Sequence, residues 1–256
     1  MTNETYHILG ASIRAAKMGI GNGVIILLRK QHKGKTHTVK ILQRDNKPYV
    51  QRIPAGTESA IYQFLTNTNP SVYYIDDKDK WDRLIYTIGL RYLKGLSDGE
   101  KAPLKMTYYT KEQVTDPIPT MAWSWILFNK TQFDSCNPIL VETGLYARAI
   151  ILRTNHNEKE YLRIQEYYED NGYNETNLPA LKIHDDWYSS VPRKITPDEK
   201  AMIRRSIPED MQSNVFKICK VMSEDGFYAI FDCLQISASG NYFNEEIEFT
   251  KPNKGD

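Results

Sequence analysis

The sequence predicts an α+β protein rich in strands: antiparallel hairpins and meanders with a few amphipathic helices, in one elaborated domain or two lobes. Three observations carry this expectation. Short apolar runs of strand length recur between turn signals, as in VIILLRK (24–30), WSWILF (123–128) and GLYARAIILR (144–153). One long stretch, DDKDKWDRLIYTIGLRYLKG (76–95), instead repeats its apolar residues at the 3–4 spacing of a helix. Residues 95–120 are rich in Gly, Pro, Thr and charge and keep no period, which marks a linker or long loop.

Each element follows from local pattern. Residues 4–18 place Ile8, Leu9, Ser12, Ile13 and Ala16 on one helical face, and Gly19, Gly21 and Gly23 end the helix. Residues 24–30 and 36–43 read as two strands of a hairpin turning at HKGK, with a third strand at 48–53 after the Asp45-Asn46 turn. A short helix is expected from Thr57-Glu58 to Leu65. In the helix 76–95, Asp76, Asp77 and Asp79 suit the positive amino end, and Gly95 suits the stop. Strand-like EYLRIQEYY (160–168) forms a hairpin with 144–153 through the polar NHNE. Thr196-Pro197-Asp198-Glu199 is a capping box with proline at the first helical position, and that helix stops before Pro208. NVFKICKVM (214–222) fits a helix or a strand. SEDG followed by FYAIFDCLQIS favours a hairpin, and SASGN leads to a last strand, YFNEEIEF. The expected organisation is a basic helix–sheet–helix lobe over 1–95, a linker over 96–120, and a β-rich lobe over 121–256 with a short helix near 197–206.

Composition narrows the function classes. The chain is 41% apolar and 25% charged, and has no apolar run long enough to span a bilayer. The start, MTNETYHILGAS, lacks the basic and apolar regions of a secretory signal. Cys136, Cys219 and Cys233 are far apart and without metal-ligand spacing, so a cytoplasmic or other reducing intracellular compartment is expected. The net charge of +1 hides a polarity along the chain. From Arg14 to Arg52 ten Lys/Arg face Asp45 alone, a local net of +9, whereas residues 53–256 hold 23 basic and 30 acidic residues. A surface without a polyanionic partner normally mixes its signs, because like charges repel.

No motif names a reaction. Gly34-Lys35-Thr36 matches the tail of a phosphate-binding GxxxxGK[ST] loop, but Arg29 stands where its first glycine belongs. On that ground the sequence sets nucleotide hydrolysis aside. GIGNG follows a helix and precedes a strand, the reverse of a dinucleotide loop. His32 and His37 flank the turn without a carboxylate or thiol to complete a metal set, and His184-Asp185-Asp186 lacks a nucleophile. Paired acids such as Asp76/Asp77 read as helix caps or solvated positions, and Trp123 and Trp125 share one strand face as core. No catalytic residue, cofactor or metal ligand is assigned.

The basic region therefore carries the functional expectation: a non-enzymatic protein that binds nucleic acid, single-stranded DNA or RNA before duplex. Arg29, Lys30, Lys33, Lys35, Lys40, Arg44, Lys47 and Arg52 would contact phosphates, and Tyr49 would stack on a base. The order of basic strands followed by a short helix resembles the single-stranded-DNA-binding transcriptional coactivators in pattern, over some 45 residues and without a diagnostic motif. The alternative is a self-assembling homo-oligomer of viral or phage type, whose basic third pairs with the acidic remainder of a neighbour. A third reading is an enzyme whose site joins His184 or His156 to Cys136 or Cys219. No membrane partner is expected.

Overall fold

A computed structural model describes residues 3–28, 35–53, 64, 67–68, 71–76, 122–129, 131–135, 149–153, 169–172 and 185–238. Its centre is a single sheet of five strands: β1 (Gly23–Leu28), β2 (Val50–Arg52), β3 (Val72–Ile75), β4 (Trp123–Phe128) and β5 (Ile150–Arg153). They lie in the order β2-β3-β4-β1-β5, and every pair runs parallel. The expected β-rich α+β fold of antiparallel hairpins is thus overturned, and the protein is α/β. A parallel pair cannot be joined by a tight turn and needs a crossover, so the hairpin of 24–30 with 36–43 cannot exist in this sheet. Strands from both sides of residues 96–120 pair within it, since β1 lies between β4 and β5.

The strands themselves show why. β1 reads GVIILL and β4 reads WSWILF, and all six residues of each are buried. A strand with water on one face would alternate; these runs are apolar on both, as a parallel sheet covered on both faces requires. Ile25, Leu27, Val72, Tyr74, Trp123, Trp125, Leu127, Ile150 and Leu152 join one apolar cluster with the helices. Their alternates Ile26, Tyr73, Ile126, Phe128 and Ile151 are buried on the other side. Each such side chain contributes roughly 1.5–3 kcal/mol.

Five α-helices of ten or more residues stand among the described residues: α1 (Asn3–Lys17), α2 (Lys35–Asp45), α3 (Pro197–Ser206), α4 (Glu209–Cys219) and α5 (Glu224–Ala238). α1 lies where the sequence expects it, fixed to the sheet by Trp125 Nε1, which donates to the buried Ser12 Oγ at 2.9 Å. α2 replaces the expected strand 36–43. Its buried residues Lys35, Thr38, Val39, Ile41 and Leu42 keep a helical stripe that the β-branched Thr and Val had disguised. This also removes the ground for resemblance to the coactivators, whose pattern needed a strand there. β2 survives from the third expected strand but pairs with β3, through Val50↔Val72 and Arg52↔Tyr74.

The C-terminal part corrects a second expectation. FYAIFDCLQIS is helix rather than hairpin strand: Phe227, Ile230, Phe231 and Leu234 form the buried stripe of α5. SEDG is the start of that helix, where Ser223 Oγ accepts the Gly226 N–H at 3.0 Å. Gly226 is required because a Cβ there would run into the backbone carbonyl of Trp187. NVFKICKVM resolves as helix through Cys219. α3 has the expected capping box, and its Glu199 also receives Arg193 Nη1 at 2.7 Å. The expected helices 57–65 and 76–95 and the strands 160–168 and YFNEEIEF lie outside the described residues, apart from isolated positions.

Candidate phosphate-binding site

A parallel sheet gathers its carboxyl ends along one edge, and ligands of such folds sit there, where the order of strands reverses. The reversal here is at β1. From β1 the chain passes to the far edge at β2, then returns through β3 and β4 and crosses to β5. Register aligns the ends: Leu28 is level with Phe128 and with Arg153, and Ile75 is level with Ile126. Asp76, Asn129 and Arg153 therefore share one end of the sheet, and the six residues 29–34 that follow β1 in the chain lie outside the described residues.

α2 begins immediately after those six residues, with Lys35 and Thr36 in its first turn. Lys35 is only 3% exposed. A cation in the first turn adds to the positive end of the helix dipole, and burial adds a desolvation cost. An anion placed at this end would meet both the ammonium and the first-turn N–H groups of α2. The neighbouring Thr36 Oγ1 donates to Asp76 Oδ1 at 3.0 Å, across forty residues of sequence. Asp76 is 2% exposed, at the end of the apolar run VYYI. A hydroxyl and a carboxylate oxygen held together at a buried strand end are hard-oxygen donors that fit Mg²⁺, which binds through one or two carboxylates, waters and the phosphates of its ligand. Among the described residues no group of three or more His, Cys, Asp or Glu forms a metal cluster.

Two further polar groups border this end. Asn129 follows β4, the strand between β3 and β1. Its carboxamide oxygen accepts the Gln132 N–H at 2.9 Å, and its own N–H donates to Gln132 Oε1 at 3.0 Å. That reciprocal pair opens the short helix 131–135 and holds Asn129 in place. Arg153 ends β5 and is buried, a second cation at the same end of the sheet.

The residues expected to form one basic groove are distributed by α2. Lys35 lies buried at its amino end, Lys40 half-buried midway, and Arg44 exposed in its last turn. Lys47 and Tyr49 are exposed in the turn before β2, and Arg52 is exposed at the end of β2. Arg29, Lys30 and Lys33 lie outside the described residues. Sequence reasoning missed Thr36, Asp76, Asn129 and Arg153 as a group. The available signal was VYYID, an apolar run ending in an acid, beside GKT at helix-start spacing; it went unused because Asp76 was read as a cap of a following helix.

The expected core role of Trp123 and Trp125 holds, since both are fully buried. The third reading loses one nucleophile: burial, and then the charge of Glu199, pushes the Cys219 thiol far above its ordinary value, so it is not a thiolate at neutral pH. His184, His156 and Cys136 lie outside the described residues. Among the described residues no helix is long and apolar enough to cross a membrane. No family model matches the chain, and a search of curated proteins finds no similar sequence.

Proposed function

We propose that the protein binds a nucleoside triphosphate with Mg²⁺ at the carboxyl ends of β1 and β3 and transfers its terminal phosphoryl group to water. The observation that carries this reading is the Thr36–Asp76 hydrogen bond of 3.0 Å beside the buried Lys35. Phosphate-binding loops have the order strand, GxxxxGK[ST], helix, and their Mg²⁺ is shared by the Ser/Thr hydroxyl and an aspartate from elsewhere in the fold. Here β1 precedes residues 29–34, Lys35-Thr36 opens α2, and Asp76 directly follows β3. The chain departs from the loop pattern at Arg29, in place of the first glycine. Support for the reading comes from the order of β1 and then α2, the Gly34-Lys35-Thr36 spacing in the sequence and the Thr36–Asp76 pair.

In this reading Lys35 pairs with a phosphate oxygen, and the amino-terminal N–H groups of α2 face the same charge. Thr36 and Asp76 would hold the metal, which would supply neutralisation of phosphate charge. Asn129, anchored by Gln132, is assigned to orient the attacking water. Arg153 is assigned to the charge that develops on the transferred group.

The test is Mg²⁺-dependent binding of a fluorescent ATP analogue, followed by phosphate release. Binding by the intact chain that Lys35→Ala and Asp76→Asn weaken at least tenfold, while far-ultraviolet circular dichroism stays unchanged, is the expected result. Equal affinity in both variants, or none in the intact chain, overturns it.

A further inference from the structure

The other end of α2 has a different chemistry. α1 and α2 finish close together there, because Lys17 Nζ reaches Asn46 Oδ1 at 3.4 Å. The same ammonium stands 4.1 Å from the centre of the Tyr49 ring. Tyr49 remains 45% exposed, one of three large apolar side chains so exposed among the described residues. Arg14, one turn before Lys17, lies over the Tyr188 ring at 4.1 Å, and Arg44 and Lys47 extend the cationic surface along the end of α2.

Two acids of this surface, Asp45 and Asp185, are already engaged among the described residues. Asp45 accepts from Arg44 Nε at 2.7 Å, and Asp185 lies 3.8 Å from Arg14. Lys17 and Lys47 pair with no carboxylate among the described residues. Burial, and then the like charge of Arg14, lowers the pKa of Lys17. The site thus gains when an anion approaches. Cations that follow a phosphate backbone, next to a half-open aromatic ring, are the components of single-strand binding, in which every base offers a face to stack.

We propose that Arg14, Lys17, Arg44, Lys47 and Tyr49 form a binding surface for single-stranded nucleic acid, at the opposite end of α2 from the phosphate site. The cations take the backbone phosphates, and Tyr49 stacks on a base. The two ends are separated by the length of α2, whose eleven residues span about 16 Å. The surface stands on its own geometry and does not depend on nucleotide binding.

Fluorescence anisotropy of a labelled oligothymidylate with the full chain tests it. We expect affinity to fall steeply between about 50 and about 200 mM salt. Tyr49→Ala should weaken binding about five- to a hundredfold, with Tyr49→Phe restoring it. The pair Arg44→Glu/Lys47→Glu should weaken it further and flatten the salt dependence. Lys35→Ala should leave oligonucleotide binding intact, so that failure of the nucleotide reading and failure of this one are distinguishable. Unchanged affinity in Tyr49→Ala and in the charge-reversed pair overturns the proposal. So does tighter binding of duplex than of single strand, binding only to anionic phospholipid vesicles, or loss of oligonucleotide binding in Lys35→Ala alone.

Discussion

The two ends of α2 hold similar residues and mean different things. At the amino end Lys35 is buried, beside a hydroxyl and a buried carboxylate fixed by a hydrogen bond. At the carboxyl end Arg44, Lys47 and Tyr49 are exposed, and their acids are local partners on the surface. A buried, preorganised cation has already met its desolvation cost in folding, so a small anion placed against it gains a strong interaction in low dielectric. Exposed cations gain little from any one contact and act together, through displaced counterions, on an extended polyanion. Charge counting along the sequence treats both as one block; burial separates them.

Four variants test this contrast. The largest effect is expected from Arg193→Ala, which strands the fully buried Glu199 without its bidentate partner. Loss of about 3–5 kcal/mol is the usual cost of an uncompensated buried charge. Denaturant unfolding should show it, and both ends of α2 should then fail together. Next, Asp76→Asn should weaken the Mg²⁺-triphosphate complex by about 1.5–3 kcal/mol, roughly 10- to 100-fold. Titration with a fluorescent nucleotide reads this, and oligonucleotide affinity measured on the same sample should not move. Trp125→Phe removes the donor to Ser12 Oγ and should cost about 1 kcal/mol of stability while sparing both binding activities. Smallest, Arg44→Glu/Lys47→Glu should shift unfolding by no more than about 0.5 kcal/mol, since both positions are exposed.

A pH dependence belongs to the scaffold common to both ends. Burial raises the Glu199 carboxyl, but hydrogen bonds from Arg193 and Thr196 outweigh it and hold the group below its ordinary 4.5. A depressed folded value means that this stabilisation is complete above the ordinary carboxylate range. It is lost as pH falls below about 4.5 and through the folded value. Thermal unfolding at several acidic pH values should show the decline, and Glu199→Gln should flatten it.

Part of the site was present in the sequence as fragments. Gly34-Lys35-Thr36 has the loop-tail spacing, yet Arg29 at the first position led to its dismissal. Asp76 reads locally as an acid at the amino end of the expected helix 76–95, beside Asp77 and Asp79. What joins them is a contact between residues forty apart, and it exists only when β1 and β3 run parallel with β4 between them. No local spacing encodes such a contact. The apolar runs VIILL and WILF, which do not alternate with polar residues, were the overlooked clue to a sheet covered on both faces.

The sequence by itself determined α1, β1, β4 and α3, where apolar period and caps admit one reading and near neighbours supply most of the constraint. Tertiary structure decided the direction of every strand, the helical state of α2 and α5, and the division of the basic block into two ends. In α2, Val39 and Ile41 keep a two-residue period while Val39 and Leu42 keep the helical i, i+3 spacing, so the local pattern admits both. Packing on the sheet breaks the tie, because only the helix buries Thr38, Val39 and Leu42 together and leaves Lys35 and Thr36 at the carboxyl ends of the strands.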